Sequence, residues 1–403
     1  MSTFLAAVYS TKLIETLKET PSTTILVPRN KGFEDLGLLT SYLLLPEHDS
    51  RKALLSVLKH HILTSIAYST DIADERSFKT IEGSSVIIHG TSVKGSGAWN
   101  VTGTLQATDM LTKTGVIHEI KDVLLPSSLR VTLEDLALGA GCHTMIDLIN
   151  RAGLGKLLNG SLTMKDIYEL DDWERRHHRN DRSSLPFLPD SSSPMGWTLL
   201  CPQDSAFKRV NLTRLYSDKD ALQALVLQHI IPTPATPDDL SWVQPISFKN
   251  DASYATLLSP STLYGDVIMR ETSVLDTDAT FPMFPLPHNI PLDDSTDRTP
   301  VVLIGIRGAR GTSGETDYAR LLSYGRTTTP DISGTRSGVV TIDRVLEPWI
   351  PGWWNAWGWA VAMGVVGVFS IVTFWTTVVY LFRLGENEAT YEPLDTGDAE
   401  EEG

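Results

Sequence analysis

Three places in the sequence combine residue types that could bind a metal ion or move a proton. His118-Glu119 begins like the His-Glu-x-x-His zinc motif, but the fifth residue is Asp122. The run also reads as a strand, so two imidazoles one helical turn apart are not available there. His177 and His178 lie among three arginines, where a solvated charged loop competes with metal binding or protease cleavage. These motifs therefore predict no catalytic residue and no metal ligand.

The third place is a histidine that ends an apolar segment, and it occurs twice. LLSVLKHHIL (54–63) contains His60 and His61, and LQALVLQHII (222–231) contains His229. The spacing of the apolar residues predicts a helix in both segments. A histidine at the end of such a helix is commonly a packed, hydrogen-bonded residue, and contact with a partner is the alternative.

Two further landmarks recur in the same order around these helices. TTILVPRNKGF (23–33) returns as TLLCPQDSAF (198–207), each an apolar run that leads to Pro and later Phe. GVIHEIKDVLLP (115–126) returns as GVVTIDRVLEP (338–348), each a Gly, a β-branched run, then Val-Leu and Pro. Three landmarks in one order indicate two copies of one domain.

The landmarks resemble the signature of the fasciclin domain: an opening strand with a Pro turn, a helix that ends in the histidine segment, and a closing strand. The resemblance implies an extracellular or lumenal α+β interaction module that binds protein or carbohydrate ligands. In this family the segment around the histidine is also associated with receptor contact. His61 and His229 are therefore the candidate interaction residues.

The two copies differ in length. The first occupies residues 1–128, which suits one domain, whereas the second extends over 130–348. Long insertions near 160–196 and 275–335, rich in Ser, Pro, Gly and charge, read as surface loops, with partner-binding surfaces as the alternative. The connection SSLRV (127–131) contains no flexible Gly/Ser linker and predicts a fixed domain pair.

An apolar segment follows the second domain. Residues 357–382 contain no charged side chain and exceed the roughly 20 residues that cross a hydrocarbon core as a helix. Half of the chain's ten tryptophans lie at or just before its start and would form an interfacial belt. The predicted fold is α+β, with two tandem fasciclin-like domains followed by one C-terminal transmembrane helix and an acidic cytosolic tail, 383–403.

The side of the membrane that holds the domains is predicted from two features of the sequence. Arg383 directly after the span favours a cytosolic tail. Three N-glycosylation sequons precede the span, at Asn100, Asn159 and Asn211, and their modification requires the lumen. The N-terminal residues do not resemble a signal peptide, which leaves two accounts: an incomplete N-terminus, or a tail-anchored protein with cytosolic domains.

The tail contains a candidate sorting signal. Tyr391-Glu-Pro-Leu394 has the spacing of a tyrosine-based sorting signal and resembles the signals that clathrin-type adaptors bind. Pro393 favours the extended backbone conformation at Glu392. Within the membrane-anchored interpretation, the chain resembles fungal single-span fasciclin proteins, which include vacuolar membrane forms linked to membrane fusion and autophagy. The resemblance therefore implies a vacuolar membrane location, with the cell surface as the alternative.

The chain has two cysteines, Cys142 and Cys201, both in the second copy. An oxidising lumen would permit a disulfide between them, and buried free thiols are the alternative.

Composition excludes some classes of function. The formal net charge is −15, and eight of the acidic residues lie after Arg383. No basic stripe with interleaved aromatic residues occurs, which argues against a nucleic-acid partner. No nucleotide-binding or hydrolase motif occurs either, so the sequence predicts no cofactor and a binding protein. A lumenal hydrolase remains the alternative, and it requires Ser, His and Asp brought together by folding.

Overall fold

The computed structural model describes residues 2–72, 74–97, 101–169, 195–234, 241–259, 265–275, 298–307, 318–331, 335–349 and 353–388. The chain divides into two compact units, Met1–Pro348 and Trp349–Gly403.

The first copy of the repeat places five helices against one sheet. Its helices are α1 Ser2–Ser10, α2 Leu13–Glu19, α3 Asn30–Glu34, α4 Leu38–Leu43 and α5 His48–His60. Its strands are β1 Thr23–Pro28, β2 Ile62–Leu63, β3 Arg76–Lys79, β4 Ser85–His89, β5 Ser92–Lys94, β6 Thr102–Leu111 and β7 Gly115–Ile120.

The first sheet has the order β2-β1-β7-β6-β5-β4-β3, and β7 runs parallel to β1. A bridge between Leu63 and Thr80 brings the ends of the sheet together, so the sheet is barrel-like. Its interior holds β-branched and leucine side chains that alternate along the strands, including Leu26, Val86 and Ile88. The sequence period of two is therefore what places one face of each strand in the core.

The second copy repeats this arrangement. Its helices are α6 Leu133–Gly139, α7 His143–Arg151, α8 Met164–Glu169, α9 Leu212–Ser217 and α10 Lys219–Gln228, with short 3₁₀ turns at Gly155–Leu157 and Asp204–Arg209. Its strands are β8 Met195–Pro202, β9 Ile230–Pro234, β10 Ser253–Tyr254, β11 Val267–Leu275, β12 Arg298–Ile306, β13 Ala319–Arg326 and β14 Gly338–Ile342.

The second sheet has the order β10-β11-β12-β13-β14-β8-β9, again with a parallel pair, β14 and β8. In each copy the strand of the first landmark thus lies parallel to the strand of the third landmark. The predicted α+β fold with two similar domains is confirmed.

The predicted surface insertion at 275–335 is wrong in part, because it contains two strands. β12 pairs with β11 along nine residues, and β13 continues the sheet. Val301, Ile304 and Ala319 are buried there. The Pro- and Gly-rich flanks obscured two short apolar runs whose strand state depends on distant partners. Residues 276–297, 308–317 and 332–334, and residues 170–194 of the other insertion, lie outside the described residues.

The two domains pack directly on each other. Helix α4 of the first domain lies against α6 and β13 of the second. Gly139 makes this approach possible, because a Cβ there would lie 2.7 Å from the backbone nitrogen of Tyr42. Burial raises the pKa of Tyr42, and Asp135 of the second domain raises it further through its charge and a hydrogen bond.

The connection between the domains is also fixed in place. Thr328, just after β13, accepts a hydrogen bond from Val131 N at 2.9 Å and donates one to the Leu129 carbonyl at 2.9 Å. Buried side chains of both domains form one hydrophobic cluster. The two domains therefore pack into one compact unit.

The second unit contains helix α11, Trp353–Glu388. Within it, Gly358–Leu384 is long and apolar enough to cross a membrane, by length and composition. Its large apolar side chains face outward, among them Trp359 and Phe369. The hydroxyls of Ser370 and Thr377 donate to helix carbonyls one turn earlier, both at 2.8 Å, so the helix itself satisfies both donors.

Candidate interaction sites

His61 links the histidine helix to the closing segment of the first domain. It caps the C-terminus of α5, and its Nδ1 hydrogen-bonds the Val57 carbonyl at 2.7 Å. Its Nε2 accepts a hydrogen bond from Leu124 N at 3.0 Å. Since the carbonyl can only accept and the amide can only donate, these partners require the neutral tautomer with the proton on Nδ1.

His229 repeats this arrangement in the second domain. Its Nδ1 hydrogen-bonds the Leu225 carbonyl at 2.8 Å, and its Nε2 accepts from Leu346 N at 3.1 Å. Leu124 and Leu346 occupy the same place in the two third landmarks. The histidine therefore recurs because it joins the second landmark to the third in each domain.

Neither histidine lies at the surface. Both side chains are 0% exposed, and each stays within its own domain. Burial lowers the pKa of His61 to about 3 and that of His229 to about 4. Both histidines therefore have the packed, hydrogen-bonded role that is common at the end of such a helix, and their burial argues against the alternative, side-chain contact with a partner. An imidazole enclosed by its own domain has no atom left to offer a ligand.

His60 belongs to a Ser–His–Glu cluster that tests the hydrolase alternative. Its Nδ1 lies 2.7 Å from the Ser84 hydroxyl oxygen. Glu82 accepts hydrogen bonds from the Ser128 hydroxyl, in the connection between the domains, and from Ser84 N in a turn. Its carboxylate therefore does not orient the His60 imidazole. Burial lowers the pKa of His60 to about 4, which makes it a weak base at neutral pH.

His118 belongs to a second such cluster. Its Nε2 lies 2.7 Å from the Ala67 carbonyl, and its Nδ1 accepts from Asp109 N at 3.1 Å. The Ser69 hydroxyl donates to the Asp109 carboxylate and not to the imidazole. Both ring nitrogens are thus occupied by backbone groups, and the serine is not activated. Neither cluster has the order of groups that a nucleophilic hydrolase requires.

Two of the three sequons lie on exposed residues. Asn159 stands in a turn, where its Oδ1 accepts from Ser161 N at 3.0 Å. Asn211 caps α9 by accepting from Arg214 N at 3.1 Å. In both, the side-chain oxygen is used locally while the residue faces solvent. Asn100 lies outside the described residues, as do Tyr391 and Leu394 of the tail.

Cys142 and Cys201 are both buried and carry free thiols. The disulfide between them stays a prediction. The Cys142 thiol donates to the Cys201 carbonyl, with 3.6 Å between Sγ and oxygen. The folded chain therefore brings the only two cysteines together, although 59 positions separate them.

Comparison with known proteins shows the family. A fasciclin-domain family model matches residues 1–126 and 140–280, more than half of the chain. The chain belongs to the fasciclin-domain family. Both matched segments contain the first two landmarks, and the first also contains the third.

Fasciclin relatives are similar to parts of the chain. Pig transforming growth factor-beta-induced protein ig-h3 is 33% identical over 161 residues, 40% of this chain and 22% of that protein. Human periostin is 32% identical over 162 residues, 39% of this chain and 18% of that protein. The chain thus matches about a fifth of the length of these relatives.

One solved structure is a FAS1 domain pair from the insect cell adhesion molecule fasciclin I. It is 12% identical, and the match covers 86% of this chain and 96% of that chain with a TM-score of 0.28. Fasciclin domains imply adhesion or interaction, and the apolar helix is compatible with membrane anchoring.

The first fasciclin domain carries an exposed apolar surface that the sequence did not reveal. Ile66, Tyr68 and Met110 are each 38% exposed and Leu111 is 74% exposed. The loop and the β6–β7 hairpin that carry these four residues meet where Ser69 N donates to the Asp109 carboxylate at 2.9 Å. We call these four residues the hairpin patch. Two adjacent apolar residues at a strand end, Met110 and Leu111, were the signal that sequence reasoning missed.

Proposed function

We propose that this protein is a membrane-anchored adhesion or interaction protein. Its fasciclin domains, residues 1–128 and 130–348, act as one rigid binding unit in the lumen or outside the cell. The apolar helix crosses the membrane, and residues 383–403 form a cytosolic tail. The observation that carries the proposal is the packing of the two domains into one body, in a chain that also has an exposed apolar helix.

The ligands of this unit are proteins or carbohydrates, and the hairpin patch favours a protein. Tyr and Met are enriched where proteins meet, whereas charged residues are depleted there. The alternative, a lumenal hydrolase, has no support from the two Ser–His–acid clusters. The proposal therefore assigns no catalytic residue and no cofactor.

N-glycosylation tests the placement of the domains. We expect a glycosidase to increase the gel mobility of the full-length protein from its native cell. Asn159 and Asn211 are exposed, and a lumenal domain would present both to the glycosylation machinery. Each of Asn159→Gln and Asn211→Gln should remove one glycan, measured as a mass decrease of one glycan per variant.

Asn150→Gln provides the matched control, because Asn150 is in the same domain but not in a sequon. It should leave the shift unchanged. A protein that resists alkaline extraction from membranes but shows no glycan in any of these forms would reverse the topology and favour cytosolic domains.

We further propose that the protein resides in the vacuolar or lysosomal membrane and has a role in membrane fusion or autophagy, through the resemblance to fungal vacuolar forms. Tyr391 and Leu394 are proposed to bind a sorting adaptor. We expect a Tyr391→Ala, Leu394→Ala double variant to move to the cell surface, because the adaptor needs a Tyr ring and an apolar side chain three residues later. Quantitative imaging of the tagged full-length protein measures this.

Thr390→Ala, Thr396→Ala is the control for this experiment, since it changes the same stretch and leaves both anchor side chains. It should behave as the parent. If the double variant of Tyr391 and Leu394 also reached the vacuole like the parent, the sorting role of these two residues would be abandoned.

A further inference from the structure

Cys142 and Cys201 are held together by the backbone around them. Asp204 N donates to the Gly141 carbonyl at 3.1 Å, and Thr144 N donates to the Asp204 carboxylate at 2.7 Å. These bonds fix the corner between α6 and α7 to the end of β8, with one cysteine on each side. Both side chains belong to the same hydrophobic cluster. The fold therefore places the two cysteines next to each other in one buried cluster.

The same packing makes both cysteine side chains inaccessible to reagents in solution. Both cysteines are 0% exposed. Burial raises the pKa of Cys201 well above its usual value, and the neighbouring Cys142 thiol adds to this through a hydrogen bond. Thiol–disulfide exchange requires a thiolate that can reach a disulfide. In the folded domain neither condition holds, so the thiols exchange only while the domain is unfolded or opening.

We propose that Cys142 and Cys201 form an intradomain disulfide that is acquired only as the second fasciclin domain folds. The oxidation state of the two cysteines is then set by the redox state of the compartment in which the domain folds. The proposal rests on the lumenal placement of the domains for its outcome in the native cell. In a chain that folds under reducing conditions, the two thiols stay reduced and buried.

The chemistry balances with a small-molecule or protein disulfide as the oxidant. The thiolate of one cysteine attacks the oxidant, forms a mixed disulfide and releases one thiolate. The second cysteine, after losing its proton, attacks the mixed disulfide and releases the other thiolate. The two cysteines lose two electrons and two protons, and the oxidant is reduced to two thiols. The bond closes a loop that contains the insertion at 170–194.

The first arm of the test is independent of topology. Full-length protein made in a reducing cytosol is purified in detergent, and half is treated folded with oxidised glutathione. The other half is unfolded in denaturant and refolded in a mixture of oxidised and reduced glutathione. We expect two alkylatable thiols in the folded sample and a crosslinked Cys142–Cys201 peptide, by mass spectrometry, in the refolded one. Oxidation of the folded sample at the rate of the unfolded one, or two thiols after refolding, overturns the proposal.

Cys201→Val is the matched control, because Val27 precedes the landmark proline of the first domain as Cys201 precedes that of the second. It should refold with one alkylatable thiol and no crosslink. This variant separates loss of the bond from failure to fold.

The second arm uses the protein from its native cell, denatured without reductant and alkylated, with glycosidase treatment of the same sample. A glycosylated protein with no alkylatable thiol supports the proposal. A glycosylated protein with two alkylatable thiols overturns it and leaves the proposed function intact. An unglycosylated protein with two alkylatable thiols contradicts the lumenal placement but agrees with the proposal, because a domain folded in the reducing cytosol would stay unbridged. An unglycosylated protein that contains the disulfide overturns the proposal, because the bond would then have formed in a reducing compartment.

Discussion

His229→Ala should destabilise the second fasciclin domain by about 3–5 kcal/mol, and His61→Ala should do the same to the first. Removing the imidazole of His229 leaves Leu346 N without its acceptor and the Leu225 carbonyl without its side-chain partner in a dry interior. Each unsatisfied buried group costs about 1–3 kcal/mol, and the cavity adds to this. The helix end would also lose its tie to the closing segment.

The measurement is the urea midpoint of the detergent-solubilised protein, followed by tryptophan fluorescence, since Trp197 is buried in the second domain. His143→Ala is the control, because His143 is exposed and pairs with Asp204 at the surface. It should shift the midpoint little. A His229→Ala protein as stable as this control would show that the repeated histidine does not hold the domain together.

The same residues should make the pair acid-sensitive. The unfolded state binds a proton at each imidazole near pH 6.5, whereas burial keeps His229 neutral down to about pH 4 and His61 down to about pH 3. Between these values the unfolded state holds more protons, so stability falls as the pH falls. The slope is about 1.4 kcal/mol per pH unit for each histidine, and it is absent above about pH 6.5. His229→Ala should remove its share of that slope.

Gly139→Val should separate the two domains and cost about 2–3 kcal/mol. A Cβ at Gly139 would lie 2.7 Å from Tyr42 N and 2.8 Å from Tyr42 Cα, and these are backbone atoms that cannot rotate away. Helices α4 and α6 must therefore move apart, which uncovers the side chains between them. Overpacking of this kind commonly costs 1–3 kcal/mol.

Small-angle scattering and limited proteolysis measure this change. We expect a larger radius of gyration and faster cleavage near residues 127–131. Glu134→Val is the matched control, because it places the same side chain on an exposed position of the same helix. If Gly139→Val scattered like the parent and unfolded at the same or higher urea, the close approach of α4 and α6 would not matter for the pair.

The sequence determined the repeat, and with it the family and the fold class. Local patterns sufficed, because each landmark is a short apolar run whose period and terminating Pro define a strand or helix by themselves. The apolar segment before Arg383 was equally readable, since length and absence of charge are local properties.

Only the tertiary structure decided what the landmarks do to each other. The sequence left the roles of His61 and His229 open, because burial and the partners Leu124 and Leu346 come from segments at least 63 positions away. The sequence did not predict strands β12 and β13 for the same reason, since the formation of a strand depends on the neighbouring strand with which it pairs. The contact between Gly139 and Tyr42 and the meeting of the two cysteines likewise join distant segments. Such proximities follow from packing of the whole chain, which no local pattern encodes.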